Sequence, residues 1–311
     1  MSAKMGSPFG PLVLIVNPNA GRRRVWEQLP EIERTLQAKG LQYRVFLTAG
    51  PGDATRAARA ALLAGERFLV GVGGDGTIHE VVNGMFQDDK PVVPHAVLGV
   101  VAAGSGCDFV KTFGLPEDAV RACDYLDGSN LFPVDVGKVT YRDEQGRDAV
   151  RYFPNVAEAG LGGAVVARAA RLPRRFRRSR YFLGFWLTLP GFHPTQVRVQ
   201  ADRRSFAGKA HNVVVANCQF YGGGMKISPR SWPGDGFFDV LIMKGPKSDA
   251  FTLLPKVYRG EHLPHRNIAE FRAKHITVEA DAPLRVEADG ETLGTTPATF
   301  EVIHEAISVK I

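Results

Sequence analysis

The feature that most restricts the possible folds is an alternation, up to about residue 130, of short apolar runs with segments of helical periodicity. The apolar runs predict strands near 12–17, 41–47, 67–72 and 97–102. Between them, apolar residues that recur every three or four positions predict helices near 25–38, 53–64 and 77–86. Strands that alternate with helices form a parallel sheet covered on both faces. The N-terminal part is therefore predicted to be an α/β domain.

Beyond about residue 133 the pattern changes to strand-like runs separated by turn residues, among them QVRVQA, HNVVVANC, FFDVLIM and HITVEA. Successive short strands with no helical period between them are typical of an antiparallel β domain. The change in pattern predicts two domains, residues 1–133 and residues 134–311.

Composition and cysteine usage indicate a cytoplasmic globular protein. The chain of 311 residues is 44% hydrophobic, yet no apolar run reaches the roughly 18 residues that a membrane helix needs. The early apolar run PLVLIV has no cleavage pattern after it, so it fits a first strand better than a signal peptide. The three cysteines show neither CxxC nor zinc spacing, which suits a reducing compartment.

A basic segment at 168–186 accounts for much of the net charge of +7, because it places seven arginines ahead of an aromatic cluster. Basic and aromatic residues together are expected where a protein rests on an anionic membrane surface, here the inner face of the membrane. A solvated basic loop is the structural alternative. No nucleic-acid-binding motif accompanies the segment, so we expect no nucleic acid partner.

The segment VGVGGDGTIHE at 70–80 predicts a strand, a tight glycine turn and a helix. Such a turn presents backbone N–H groups at a helix N-terminus, which favours phosphate or another anion. Asp75 in the same turn would repel a phosphate unless a cation lies between them. Gly71, Gly73 and Gly76 also satisfy GxGxxG, which makes an NAD-dependent oxidoreductase an alternative, but no acid follows at the expected distance of about 20 residues.

A purely structural alternative exists for two residues of this segment. Thr77 and Glu80 form TxxE, the pattern of a capping box in which the threonine caps the helix and the glutamate bonds back to it. That interpretation leaves Asp75 unexplained.

Two further acids favour a cation near the glycine turn. The segment GSGCDF carries Asp108 just after another apolar strand, and Asp135 lies in PVDVGK at the predicted domain boundary. Loops that follow neighbouring strands of an open parallel sheet converge at one edge, where ligands bind. A Mg²⁺ ion held through water between these carboxylates and phosphate groups would reconcile the charges.

Six motifs resemble those of the diacylglycerol kinase catalytic family, which is similar to sphingosine and ceramide kinases, and they occur in the family's order: NPNAG, GGDGTIHEVVNG, GSGCDF, VDVGKV, GDGFFDV and ADGE. The resemblance extends from about residue 12 to residue 310. It implies an N-terminal nucleotide-binding α/β domain like that of NAD kinases and phosphofructokinases, followed by a C-terminal antiparallel β-sandwich.

The resemblance also implies roles for individual residues. ATP would be bound by Asn17, Gly21, Thr48, Gly73, Gly74, Asp75, Gly76, Thr77, Gly104 and Ser105. Asp75, Asp108 and Asp135 would reach Mg²⁺ through water. Asp235 would bind a separate structural metal ion together with backbone oxygens of Trp232 and Phe237, although PGDG alone would be an ordinary turn. Asp289 or Glu291 would accept the proton of the lipid hydroxyl, although Asp-Gly between two strand-like runs is also a hairpin signal.

The sequence thus predicts an ATP- and Mg²⁺-dependent kinase that phosphorylates a lipid hydroxyl, with diacylglycerol as the first choice. Sphingoid bases, phosphatidylglycerol and other lipid alcohols are further candidates. A protein of the same fold that binds nucleotide and lipid with little turnover is the alternative, because Cys107 stands where the family usually has asparagine.

Overall fold

The computed structural model describes residues 7–21, 23–103, 107–173 and 179–311, and the chain divides into two compact units. The first unit extends to Val134 and includes Glu305–Ile311, and the second is Asp135–His304. In the part of the chain that the structure describes, no helix combines the length and the apolar character that a membrane span needs.

The first unit is an α/β domain. Its strands are β1 Leu12–Val16, β2 Tyr43–Leu47, β3 Phe68–Gly73, β4 Phe86–Gln87, β5 Lys90–Pro91 and β6 Val97–Ala102. Its helices are α1 Arg24–Ala38, α2 Asp53–Leu63, α3 Asp75–Gly84, α4 Asp108–Thr112 and α5 Ala119–Ala122, followed by a 3₁₀ turn at Cys123–Tyr125. The sequence predicted seven of these elements, and each begins and ends within two residues of its predicted position: β1, β2, β3, β6, α1, α2 and α3.

The sheet of the first unit has the order β2–β1–β3–β6, and all its pairs are parallel. Ser308 and Val309, at the end of the chain, add a further parallel segment beside β6. Every residue of β1, β3 and β6 is buried, which explains why these strands are continuous apolar runs rather than alternating ones. The predicted parallel sheet is therefore confirmed.

The second unit is mainly β structure. Its strands are β8 Asp148–Phe153, β9 Val156–Gly160, β10 Thr195–Ala201, β11 Arg204–Ala210, β12 Asn212–Ala216, β13 Phe238–Met243, β14 Ile268–Ala273, β15 His275–Ala280 and β16 Arg285–Ala288, together with most of β7 Leu131–Arg142 and of β17 Glu291–Lys310. The first residues of β7, up to Val134, and the last residues of β17, from Glu305, are counted in the first unit. Its helices are α6 Leu161–Arg171, α7 Ser179–Thr188 and α8 Asp249–Arg259.

Two layers of antiparallel strands form a sandwich in this unit. One layer has the order β14–β13–β12–β9–β16–β17, and the other pairs β11 with β10, β10 with β15, and β15 with β17. Their shared core contains Val213 and Phe238 from the first layer, and Val197 and Ile276 from the second. The opposite face of the first layer packs against α8, where Val257 joins Val156 and Val214. The predicted β-sandwich is confirmed.

Candidate functional site

The glycine turn between β3 and α3 is shaped by close packing. The helix begins at Asp75, and Gly74 is its N-cap residue. A Cβ atom on Gly73 would lie 2.4 Å from Oγ1 of Thr77, so only glycine fits there. Asn17 donates from Nδ2 to the same Oγ1 at 3.4 Å. The turn thus places the first amide groups of a ten-residue helix, which lack acceptors within the helix, at the carboxyl end of β3.

Other predicted nucleotide-binding residues follow neighbouring strands at the same edge of the sheet. The Asn17 amide donates to the carbonyl of Val72 at 3.0 Å, and the Thr48 amide donates to that of Val16 at 2.9 Å. Gly21 has a φ of 61° in the turn that follows β1. Gly104 and Ser105 lie outside the described residues.

Asp75 connects the glycine turn after β3 to the start of α4. Its Oδ2 accepts the amide of Asp108 at 3.0 Å, and its Oδ1 accepts that of Phe109 at 3.1 Å. The carboxylate therefore caps α4. The helix's own N-cap residue, Cys107, makes no capping hydrogen bond with its side chain. This structural role is absent from the sequence-based interpretation, in which Asp75 only approaches a cation.

The surroundings of Asp108 are also charged. Its buried carboxylate accepts a hydrogen bond from the Lys111 ammonium at 2.8 Å, and the same ammonium lies 3.8 Å from Glu117. Burial, together with the carboxylates of Asp75 and Asp108, raises the pKa of the Cys107 thiol well above its ordinary value. Cys107 therefore stays protonated and acts as a packing residue rather than a nucleophile.

The predicted capping box of Thr77 and Glu80 is wrong. Because α3 begins at Asp75, Glu80 lies in its second turn and is too far along the helix to bond back to a cap. Its carboxylate instead accepts the amides of Gly52 at 2.9 Å and Ala54 at 3.1 Å, at the start of α2. Glu80 thus caps a neighbouring helix.

Asp135 belongs to the second unit and is fully buried there. Its Oδ2 accepts the amide of Gly236 at 2.7 Å, and Nδ1 of His304 lies 2.7 Å from its Oδ1. Its own amide donates to the carbonyl of Pro233 at 2.7 Å. Within this unit Asp135 therefore holds the turn at 233–236.

Asp235, the predicted ligand of a structural metal ion, lies in that turn. Its Oδ1 accepts the amide of Phe237 at 3.0 Å, and its Oδ2 forms an ion pair with Arg272. The Arg272 guanidinium also lies over the Phe237 ring, 4.9 Å from its centroid. The Trp232 carbonyl accepts the amide of Gly234 at 2.8 Å. Across the described ranges, no three or more His, Cys, Asp or Glu side chains are grouped as metal ligands would be.

Asp289 and Glu291 flank Gly290 in a two-residue hairpin between β16 and β17. The φ angles of Asp289 and Gly290, 51° and 85°, are both positive, as this tight turn requires, so the predicted hairpin is confirmed. Oδ1 of Asp289 accepts the amides of Asn155 at 3.2 Å and Val156 at 3.1 Å, which ties the hairpin to β9. Glu291 is exposed at the start of β17.

Two buried acids beside this hairpin escaped the sequence analysis. Glu158 on β9 and Glu287 on β16 are each 1% exposed and lie directly opposite each other in the strand pairing. Burial raises the pKa of Glu158 to about 7. An acid flanked by small and apolar residues, as in VAEAG and RVEAD, is the signal that would have found them.

Comparison with known proteins agrees with the motifs. Residues 11–139 match the diacylglycerol kinase catalytic domain, and residues 155–311 match the YegS C-terminal NAD kinase beta sandwich-like domain. A diacylglycerol kinase of Bacillus subtilis (strain 168) is 30% identical over 95% of this chain and 94% of its own length. One of Staphylococcus haemolyticus (strain JCSC1435) is 28% identical over 95% and 86%.

The crystal structure of a diacylglycerol kinase from Bacillus anthracis str. Sterne has a TM-score of 0.73 at 24% identity, and covers 98% of this chain and 97% of that one. At that identity the likeness supports the fold alone. The family assignment decides against an oxidoreductase and implies a nucleotide as one substrate. The two domain matches together span nearly the whole chain, which therefore belongs to the diacylglycerol kinase family and is a lipid kinase.

Proposed function

We propose that this lipid kinase transfers the γ-phosphoryl group of ATP to the hydroxyl of diacylglycerol, forming phosphatidic acid and ADP in a Mg²⁺-dependent reaction. The observation that carries the proposal is the double hydrogen bond from the Asp108 and Phe109 amides to Asp75. It couples the glycine turn after β3 to the second acid-bearing turn. The named relatives support the choice of diacylglycerol.

The phosphates of ATP would lie at the N-terminus of α3. Amide groups and the helix dipole favour negative charge there, and Gly73 and Gly74 are proposed to contact the phosphates through their backbone. The other residues proposed to bind ATP are Asn17, Gly21, Thr48, Asp75, Gly76, Thr77, Gly104 and Ser105.

The residues of the first unit fit Mg²⁺ by their chemistry. Asp75 and Asp108 bring two carboxylates to one pair of turns, and Mg²⁺ prefers such hard oxygen donors, largely through water. When bound, Mg²⁺ would neutralise charge on the transferring phosphoryl group. Asp135 is proposed as a third acid that would reach Mg²⁺ through water. The proposed structural cation at Asp235 would have to displace the Arg272 guanidinium, because that side chain already neutralises the carboxylate.

Asp289 and Glu291 are proposed to deprotonate the lipid hydroxyl, with different contributions. Asp289 uses one oxygen to hold the hairpin on β9, whereas Glu291 is exposed. Phosphoryl transfer has a loose transition state, so placement dominates and a base adds about 10²- to 10⁴-fold. We therefore expect Glu291→Gln to lower turnover within that range and to leave ATP affinity unchanged.

A contact with the membrane surface is proposed on α7 and α8. Arg174, Arg175, Arg177 and Arg178, the centre of the predicted basic segment, lie outside the described residues. Among those that are described, Phe182 and Leu187 on α7 and Phe251 on α8 are exposed, and the rings of Trp186 and Phe251 lie 4.9 Å apart. Exposed aromatic rings beside basic residues suit an anionic bilayer, which is where a lipid substrate is found.

The reaction is tested by incubating the purified protein with γ-labelled ATP and vesicles that contain one candidate lipid at a time. We expect labelled phosphatidic acid from diacylglycerol vesicles, and its loss when Mg²⁺ is chelated. Tight ATP binding without labelled lipid would instead support a low-turnover binding protein. Label in a sphingoid base or in phosphatidylglycerol alone would refute diacylglycerol as the acceptor.

The membrane contact is tested by co-sedimentation with anionic vesicles. Phe251→Ser should weaken binding by about tenfold, because burying an aromatic side chain contributes about 1.5–3 kcal/mol when complete. Leu63→Ser is a matched control, since Leu63 is 69% exposed and Phe251 is 67% exposed, but Leu63 lies on α2. Transfer to a short-chain dispersed substrate should be unaffected in both variants. Equal vesicle binding by the two variants would contradict the assignment.

A further inference from the structure

The second unit contains a pair of buried glutamates that the reaction described above does not use. Glu158 on β9 pairs with Glu287 on β16, between the pairs Ala159–Val286 and Ala157–Ala288. Residues directly opposite each other on antiparallel strands have their Cβ atoms about 4.5–5.5 Å apart, on the same face of the sheet. Each glutamate is 1% exposed, so neither carboxyl group is solvated by bulk water.

Among the residues that the structure describes, the polar groups around the pair do not supply a compensating positive charge. Both carboxyl oxygens of Glu158 are buried and have no hydrogen-bond partner among the described residues, while the side chains of Tyr221 and Asn212 lie near enough to favour its ionised form. On the other side of Glu158, a Cβ atom on Gly162 of α6 would lie 1.3 Å from Oε2, so the carboxyl group fills the space under that helix. In the described part of the chain, the titratable groups whose charges act on the pair are Tyr221, Asp289 and Glu291, and none of them is a cation at neutral pH.

Two ionised carboxylates in such a place would be very costly, because burial disfavours each charge and the two charges repel each other. Retaining a proton relieves both costs, because a protonated carboxyl group carries no charge to desolvate or to repel its neighbour. The directions of the pKa shifts agree. Burial raises the pKa of Glu158 to about 7, and burial together with the charge of Glu158 raises that of Glu287 well above its ordinary value.

The pair is connected to the proposed catalytic hairpin. Oε2 of Glu287 accepts the amide of Gly290 at 2.8 Å, across the turn that carries Asp289 and Glu291. The hydroxyl of Tyr181 would lie 3.4 Å from a Cβ atom on Gly290, so α7 packs against the same turn. A change in the charge or position of Glu287 therefore acts directly on the hairpin backbone.

We propose that the buried pair of Glu158 and Glu287 retains a proton at neutral pH and, through the hydrogen bond from the Gly290 amide to Glu287, positions the Asp289–Glu291 hairpin for phosphoryl transfer. The two glutamates are positioning residues, which act through the hairpin and do not touch the substrate. The inference rests on the proposed function in so far as the hairpin carries the proton acceptor.

The sign of the pH dependence follows from the direction of the shifts. Both groups have folded-state pKa values above their unfolded values, so the folded protein binds more protons between the two. The stability that the retained proton provides is complete below the unfolded value of about 4.5, and it is lost as pH rises toward about 7 and beyond. Because the two carboxyl groups interact, they lose their protons in two macroscopic steps that belong to the pair rather than to either residue.

Glu158→Gln tests the proposal, because the amide keeps the shape and a donor but cannot ionise. We expect the wild type to lose stability to urea as pH is raised from about 5 to about 9, and the variant to lose much less. Glu279→Gln is the matched control, since Glu279 is exposed on β15 and pairs with Arg198; it should keep the wild-type slope. Infrared spectra at neutral pH should show a protonated carboxyl band that Glu158→Gln lacks.

Turnover supplies the second readout. With dispersed diacylglycerol, the kcat of the wild type should fall at high pH while ATP affinity stays constant, and Glu158→Gln should remove that fall. Glu287→Gln keeps an oxygen for the Gly290 amide and should behave in the same way. Parallel stability–pH curves for wild type and Glu158→Gln would overturn the proposal, as would a wild-type slope that disappears with a chelator and so indicates a bound cation.

The two proposals fail separately. The unfolding and infrared measurements need neither ATP nor lipid. They therefore detect the proton retained by the glutamate pair even if diacylglycerol is not the phosphoryl acceptor. Normal transfer with identical unfolding curves would refute the glutamate pair and leave the lipid kinase proposal intact.

Discussion

Asp75→Asn separates the two roles that the structure and the proposed mechanism give to this side chain. In the structure each carboxylate oxygen accepts one backbone amide at the start of α4. Asparagine keeps one acceptor oxygen, but its NH₂ group would then face the other backbone N–H. The variant therefore loses one hydrogen bond and the negative charge that strengthens both, without a change in size.

The expected cost in stability is about 1–2 kcal/mol, because a partly buried amide that loses its acceptor costs about 1–3 kcal/mol and Asp75 is not fully buried. The proposed charge near Mg²⁺ is lost as well, so transfer should fall by at least about 100-fold. Asp75→Asn is thus expected to be a moderately destabilised protein with almost no activity.

Urea denaturation and the transfer assay measure the two effects, and Asp202→Asn calibrates the first. Asp202 also accepts one backbone amide on each oxygen, from Lys274 at 2.9 Å and His275 at 3.0 Å, but lies in none of the proposed sites. Asp202→Asn should lose stability and keep its turnover. Wild-type stability in Asp75→Asn would refute the cap, and wild-type transfer in a destabilised Asp75→Asn would refute the metal role.

Two further substitutions test the local structure of the first unit. Glu80→Ala removes the carboxylate that caps α2 and should cost about 1–2 kcal/mol in urea denaturation, whereas Glu66→Ala, which removes an ion pair with an exposed arginine, should cost under about 1 kcal/mol. Gly73→Ala would place a Cβ atom 2.4 Å from Thr77 and should cost about 1–3 kcal/mol and weaken ATP binding. A Cβ atom on Gly50 would meet nothing within 4 Å, so Gly50→Ala should leave stability and ATP binding unchanged. Equal losses of stability in Gly50→Ala and Gly73→Ala would contradict the packing argument.

The sequence by itself determined those features that depend on neighbouring residues. Apolar runs and the helical period predicted the seven elements, because a strand buried on both faces is continuously apolar and a helix buried on one face repeats its apolar residues every three or four positions. The glycine turn around Asp75 and the Asp289–Gly290 hairpin were predicted because positive φ angles and close backbone approach limit the residue types that fit.

The tertiary structure alone decided which distant groups meet. Glu80 caps α2 rather than its own helix, Asp75 caps α4, and Glu158 lies opposite Glu287 although the two are 129 positions apart in the sequence. No local period encodes these contacts, because the pairing of strands and the packing of helices are set by the burial of whole faces. Side chains that are polar within an apolar strand therefore acquire their partners, and their protonation, only when the sheet is assembled.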